Sequence, residues 1–158
     1  MNASPRSQEI AILLFRILET PMGIDARQIA RTSRPTPDTE AELYYFHQRL
    51  PCNGRIPDYH SPVILHPAPH LGVSGGLIVD HLEEMRTLEH RAIRRLPRWL
   101  TSSSQPTPYW GVAYQEDGLI LLLDLSKLLP LQSTQSDAIT PPADCAPCPG
   151  DRSGQTPP

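Results

Sequence analysis

Apolar positions along the chain fall into short runs separated by turn-forming residues. Residues 9–18 (Glu-Ile-Ala-Ile-Leu-Leu-Phe-Arg-Ile-Leu) are too short and too continuously apolar for a surface helix, and predict a strand buried on both faces. Pro21 and Gly23 mark a turn. Residues 22–25 read as extended, and 26–31 fit either a strand or a helical turn. Residues 32–40, with Pro35 and Pro37, read as loop. The aromatic run 43–46 predicts a strand, and Phe46 and Leu50 at an i, i+4 spacing predict a short helical turn after it. After a loop over 51–61, Val63, Ile64 and Leu65 form a strand core bracketed by Pro62 and Pro67. Residues 76–82 predict a strand that continues extended through Met85 to Leu88. Ile93, Leu96, Trp99 and Leu100 recur at helical spacing, but Pro97 breaks any long helix.

After a Ser/Pro loop over 101–108 comes the clearest local signal. Asp117-Gly118 separates two apolar runs within 109–124, which predicts a hairpin, because glycine and aspartate tolerate the positive φ of a two-residue turn. Ser126 is positioned as an N-cap for a turn over 127–129, which Pro130 ends. Beyond Gln132 the chain has few apolar residues and no aromatic ones, so too little surface is available to offset the entropy of ordering. The expected organisation is an ordered domain over 9–130 and a disordered Pro-rich tail over 131–158. Short strands spaced by turn residues predict an all-β sandwich or barrel.

Composition sharpens this picture. Nineteen prolines are more than twice the average share, which demands substantial loop or tail. A formal net charge of −3 argues against nucleic acid as a partner. Arg91, Arg94, Arg95 and Arg98 form the densest basic segment, read as a solvated face on a short helix. No run reaches the ~18 apolar residues that a membrane span needs. Residues 10–15 are apolar, but Glu9 precedes them and no small-residue cleavage site follows, so a cytoplasmic protein is expected. Three cysteines, Cys52, Cys145 and Cys148, are a poor basis for a disulfide framework and agree with a reducing compartment.

Candidate chemistry is sparse. His60, His66 and His70, with Asp58 nearby, invite a metal-enzyme reading, but only His66 and His70 have a ligand-like gap, and prolines flank them. Cys145 and Cys148 have the C-x-x-C spacing without the helix terminus or cationic neighbours that stabilise a thiolate. The segment from Gly72 to Gly75 lacks the spacing of a nucleophile elbow, and no basic helix follows Gly76 to make a phosphate loop. Glu83 and Glu84, being adjacent, point to opposite faces of a strand. The chain reads as a binding protein, with no enzyme activity, no metal and no cofactor expected.

Three stretches together resemble the CheW-like family of chemotaxis adaptors. Gly76-Leu-Ile-Val-Asp80, continuing to Met85, is similar to the family's glycine, two hydrophobics, valine and aspartate followed by a "v-e-e-v" segment. Ile93-Arg-Arg-Leu-Pro97 matches its apolar–proline linker. Trp110-Gly-Val-Ala113 with Gly118-Leu-Ile-Leu-Leu-Leu-Asp124 and the following Leu-Ser-Lys-Leu-Leu129 is similar to its "G-v-a…dGrlvllLDleklL" ending. Residues 12–15, 23–25, 29 and 43–50 fit its N-terminal half more loosely. Its "G-v-i-N-L-R-G-x-v-x-P" segment has no counterpart between Arg34 and Leu43.

The resemblance implies two small packed β-barrels with short helical turns around a shared apolar seam, the first barrel being incomplete. It implies a non-enzymatic scaffold coupling chemoreceptors to a CheA-type histidine kinase. The implied partners are the kinase regulatory domain and the chemoreceptor cytoplasmic tip, with no membrane insertion and no nucleic acid. A stand-alone regulatory module serving another partner, such as a pili or gliding system or a response regulator, is the alternative. The expected protein-binding residues are Leu77, Val79, Asp80, Gly111 and Val112. The last two are expected at the seam, Gly76 to permit close backbone approach, and Asp124 to cap the turn that follows it.

Overall fold

The computed structural model describes residues 9–39, 42–50, 52–98, 107–116 and 118–132. The terminal segments 1–8 and 133–158, including Cys145 and Cys148, lie outside the described residues, as do Trp99 and Leu100.

β1 (Glu9–Ile17) and β2 (Thr20–Asp25) form an antiparallel hairpin in which Ile17 faces Thr20. The reversal falls on Leu18 and Glu19, with φ of 48° and 66°, and not at Pro21 and Gly23, which lie inside β2. A two-residue turn with both φ positive matches the right-handed twist of the strands it joins. That match holds two non-glycine residues in a region that costs roughly 1–2 kcal/mol each. Gly23 has a different duty, since a methyl group there would collide with the Ile12 side chain.

The two alternatives at residues 26–31 are both realised in sequence: a 3-10 turn over Ala26–Gln28, then β3 (Ile29–Ser33). β4 (Leu43–Tyr45) runs into α1 (Phe46–Arg49), and β5 (Pro62–Pro67) follows the loop. The extended run from Gly76 to Leu88 divides into β6 (Gly76–Asp80) and β7 (Leu82–Glu89) at His81, whose φ is 47°. That kink sends the two halves into different sheets. A 3-10 turn over His90–Ala92 leads directly into β8 (Ile93–Arg94), so the helical spacing does not start at Ile93; Arg98 is helical, and the rest of that expectation lies outside the described residues. β9 (Tyr109–Gln115) and β10 (Gly118–Leu123) form the C-terminal hairpin. Its turn lies one position earlier than predicted, because Gln115 already pairs with Gly118. Gly118, at φ 130°, is the first residue of the returning strand.

The strands make two sheets, one of six in the order β7-β1-β2-β10-β9-β8 and one of four in the order β3-β5-β6-β4. In the larger sheet the two end strands are consecutive in the chain, joined only by His90–Ala92. Laid flat, five inter-strand spacings of about 4.8 Å would separate them by about 24 Å. The four residue steps from Glu89 to Ile93 reach only about 14 Å. The sheet must therefore curl into a barrel, and Ile12, Leu14, Leu88, Ala113, Ile120 and Leu122 fill it.

Alternate residues of the same strands face outward. Phe15, Ile17, Met22, Ile24 and Leu123 pack with Phe46, Leu65, Leu77 and Val79 from the four-stranded sheet. Phe15 and Phe46 meet edge to face, with ring centroids 5.8 Å apart. Two small curled β-units thus share one apolar seam, with residues 10–17 largely buried on both faces. Each buried Leu, Ile or Phe contributes roughly 1.5–3 kcal/mol of transfer free energy. The four-stranded sheet ends on β3 and β4, and residues 34–39 between them carry no strand.

Polar groups fix the seam at its ends. The Gln28 side-chain oxygen accepts from the Leu125 amide (2.8 Å), and its nitrogen donates to Asp124 Oδ1 (3.2 Å). The Gln28 carbonyl accepts from the Ala68 amide (2.8 Å), so one residue ties both sheets. Asp124 Oδ1 also accepts from the Ser126 amide (3.0 Å) and hydroxyl (2.7 Å). Asp124, not Ser126, is thus the cap of the 3-10 turn Leu125–Lys127. An isolated bridge between Val73 and Leu131 carries the ordered chain slightly past Pro130.

Two predictions follow from this packing. At Gly75 (φ 85°) a Cβ would sit 2.6 Å from the Glu42 carbonyl oxygen, so Gly75→Ala should cost about 2–3 kcal/mol in urea denaturation. Gly72→Ala, with positive φ but open space around it, should cost only about 1 kcal/mol. The second concerns Asp25, which caps Ala26–Gln28 and accepts from the Arg27 amide (2.9 Å) and guanidinium (2.6 Å). Burial alone would raise the Asp25 carboxyl, but the Arg27 hydrogen bonds outweigh it and hold the group below its ordinary 3.8. A depressed folded value stabilises the fold above the unfolded one, and the benefit drains as pH falls through the folded value. Asp25→Asn should therefore lower the melting temperature at pH 7, with the difference from wild type shrinking steadily below pH 3.8.

Candidate docking surface at the seam

Where the two sheets diverge, the seam opens into a cavity of about 300 Å³. The β1–β2 hairpin supplies Ile17, Leu18 and Met22, α1 and its exit supply Phe46 and Leu50, and Cys52, Tyr109 and Leu121 complete the apolar lining. Asn53 and Arg55 stand at its polar side. Leu18 is 38% exposed although apolar, because the left-handed turn that carries it projects it outward.

The same surface continues along the C-terminal hairpin. Leu121 faces Val112 and Leu119 faces Tyr114 across β9 and β10. Residues two apart on a strand share a face, so Leu119 and Tyr114 lie on the side that opens into the cavity. They are 41% and 61% exposed, which leaves an apolar strip running from the cavity to the hairpin tip.

The residues expected from the sequence are placed as follows. Leu77 and Val79 are fully buried in the shared core. Val112 shares the face of Tyr114 and Leu121 but is only 7% exposed, and it pairs with both Leu121 and Arg94. Gly111 is buried under β8, where an added Cβ would stand 3.2 Å from the Arg94 carbonyl oxygen. Gly76 is tight too, a Cβ there lying 2.7 Å from Ile64 Cγ2. Asp80 reaches solvent, accepts from the Ser61 amide (2.7 Å), and borders a separate open cleft with Asp58, His60 and His81. The sequence reading missed Leu18, Tyr114 and Leu119. Their one available signal was apolar residues placed beside turns, where polar ones would be expected.

The candidate metal histidines are dispersed. His66 on β5 makes a 2.8 Å hydrogen bond with the Ser33 hydroxyl, and burial lowers its pKa, assisted by Arg31. His60 borders the open cleft, and His70 lies in the 3-10 turn Pro69–Leu71. Among the described residues no three His, Cys, Asp or Glu side chains are grouped to hold a metal. Glu83 and Glu84 separate as expected, Glu83 pairing with Arg16 (2.5 Å) and Glu84 with Arg86 (3.0 Å).

Burial at the seam favours the neutral forms of one thiol and two phenols. Burial pushes the Cys52 thiol up, and its Sγ donates to the Leu50 carbonyl (3.4 Å). Burial likewise raises the Tyr109 and Tyr59 phenols, and the Tyr59 hydroxyl is 3.0 Å from His47 Nδ1. The arrangement offers apolar contact area rather than an ionised nucleophile. Among the described residues no helix is long and apolar enough to cross a membrane.

Two curled sheets meeting at an apolar seam define a CheW-like fold. The solved scaffolding protein TtCheW from Thermoanaerobacter tengcongensis is similar in structure, with a TM-score of 0.56 at 18% identity. The match covers 77% of this chain and 92% of that one. No family model matches the chain, and no curated protein matches it in sequence. The likeness is thus one of fold.

The protonated state of Cys52 is testable. In a C145S/C148S variant, Cys52 should react with a disulfide reagent at pH 8 more slowly than glutathione, because the thiolate is the reactive species and burial disfavours it. Unfolding in urea should abolish the difference.

Proposed function

We propose that this chain is a non-catalytic scaffold of a chemotaxis-type signalling system, acting through protein–protein contacts. The partners are the regulatory domain of a CheA-type histidine kinase and the cytoplasmic tip of a chemoreceptor. The observation that carries this reading is the apolar strip of Leu18, Leu121, Leu119 and Tyr114, which is continuous with the seam cavity. Exposed apolar residues gathered beside a cavity characterise binding surfaces, and aromatic side chains supply much of the energy in such contacts. The likeness to the scaffolding protein TtCheW supports the same class of role. Work as a scaffold also fits a cytoplasmic protein.

A second reading is favoured by the four-stranded sheet, where the described residues 34–39 between β3 and β4 carry no strand. On that reading the chain is a stand-alone regulatory module whose partner is a response regulator or a component of a pili or gliding system.

Calorimetry of the full chain against the kinase regulatory domain and a receptor-tip fragment from the same genome tests both. Micromolar binding is expected, and Leu119→Glu or Tyr114→Glu should each weaken it at least about tenfold. Both positions are solvent-exposed, so the melting temperature should hold within about 2 °C. Absence of binding to either protein would eliminate coupling in favour of the module. Binding unaffected by both substitutions would eliminate the strip as the contact.

A further inference from the structure

We propose that the aromatic corner of Tyr45, His47 and Tyr59 is a docking site whose occupant is this chain's own proline-rich segment 141–149, bound as a polyproline II strand. The inference is independent of the scaffold reading.

The corner is built where β4 runs into α1. Tyr45 and Tyr59 meet edge to face, with ring centroids 5.0 Å apart and planes inclined at 66°. The His47 ring closes the group, 5.7 Å from Tyr45 and 5.8 Å from Tyr59. Tyr59 is locked in place, because its hydroxyl oxygen accepts from the His47 amide (3.4 Å) and lies 3.0 Å from His47 Nδ1. Tyr45 is 41% exposed, so this rigid group presents an aromatic surface to solvent. None of the three rings lines the seam cavity. Gln48 adds polar groups beside them: its side-chain oxygen accepts from the Tyr45 amide (3.0 Å), and its nitrogen carries two N–H donors.

Aromatic surfaces with a donor at hand suit polyproline II ligands, whose apolar rings pack on aromatic side chains and whose backbone makes no internal hydrogen bonds. The chain supplies such a ligand. Six of the 26 residues 133–158 are proline, against about one at average usage. Pro141, Pro142, Pro147 and Pro149 have φ fixed by their rings, and Thr140, Ala146 and Cys148 are each steered towards extended backbone by the proline that follows. A segment so biased loses little entropy on binding. Its composition cannot build a core, and a surface-bound strand needs none.

The described residues end close to the corner. The Arg49 guanidinium, at the end of α1, donates to the Leu128 carbonyl (2.6 Å), and the Gln132 amide donates to the Gly72 carbonyl (2.9 Å). Four residue steps lead from Gly72 to Gly76, which pairs with Leu43, two steps before Tyr45. Tyr45 therefore stands within about 30 Å of Gln132. The nine steps from Gln132 to Pro141 reach about 30 Å when extended, and Pro147 lies six residues further on. A tether this short gives a millimolar effective concentration, which holds a contact that a free peptide makes only weakly.

Aromatic clustering also steadies α1 with no ligand present. The tail prolines separate the two roles, because they matter to the corner only when it is occupied.

The experiment uses the full isotope-labelled chain and nuclear magnetic resonance. Backbone order parameters at Ala143, Asp144 and Ala146 should exceed about 0.6 in the wild type. They should fall below that in Tyr45→Ala and in P141A/P142A/P147A/P149A, and hold in Tyr45→Phe, which keeps the ring. The tail substitutions should also shift the Tyr45, His47 and Tyr59 resonances. Circular dichroism melts check the fold of each variant, and the tail variant leaves the folded domain unaltered. Leu119→Glu should change none of these readouts, so this proposal and the seam reading fail separately.

The proposal is overturned if the tail amides have the same order parameters in the wild type and both disrupting variants, or if the tail substitutions leave the three ring resonances in place. Loss of the ordering on about tenfold dilution assigns the corner to the tail of a second copy, which also overturns it.

Discussion

The fold depends on strands that are apolar on both faces. In β1, Ile12 and Leu14 fill the barrel while Phe15 and Ile17 fill the seam, and in β10, Ile120 and Leu122 alternate in the same way with Leu121 and Leu123. Such strands have no face to give to water, so a single sheet cannot satisfy them. One face is covered by the sheet curling on itself, which the short link from β7 to β8 enforces. The other is covered by the second sheet. Neither unit is complete without the other, and the cavity appears where this mutual coverage runs out.

The strip proposed for docking offers apolar contact, which is non-directional and strong once water is expelled. Gly111 and Val112 hold it from β9: β8 rests on Gly111, and Val112 pairs with Arg94 on one side and Leu121 on the other.

Much of the fold was legible in the sequence, because burial leaves a period. The continuous run from Ile10 to Ile17 announced a strand buried on two sides, and Asp117-Gly118 announced the C-terminal hairpin to within one residue. What was illegible turned on conformations that side-chain chemistry does not advertise. Leu18, Glu19 and His81 adopt positive φ without being glycine, held there by strand twist and by the packing of both sheets. A reader of the chain places the first turn at Pro21 and Gly23 for sound local reasons, and tertiary packing overrides them. The docking strip was hidden for a related reason. Leucines at positions 18 and 119 look like core until the register shows which face they occupy.

The order of strands has a consequence for how the molecule is made. β1 and β2 are the first of the described strands, yet β1 pairs with β7 and β2 pairs in parallel with β10, the last of them. The four-stranded sheet is spelled out entirely between these partners. Contacts so distant along the chain form slowly, because long loops must close before any pairing rewards them. During synthesis the first hairpin therefore waits, both faces apolar, until the C-terminal hairpin leaves the ribosome. A chain cut short before Gly118 would lack β10 and retain an unsheltered hydrophobic hairpin, making it a substrate for chaperones or for aggregation.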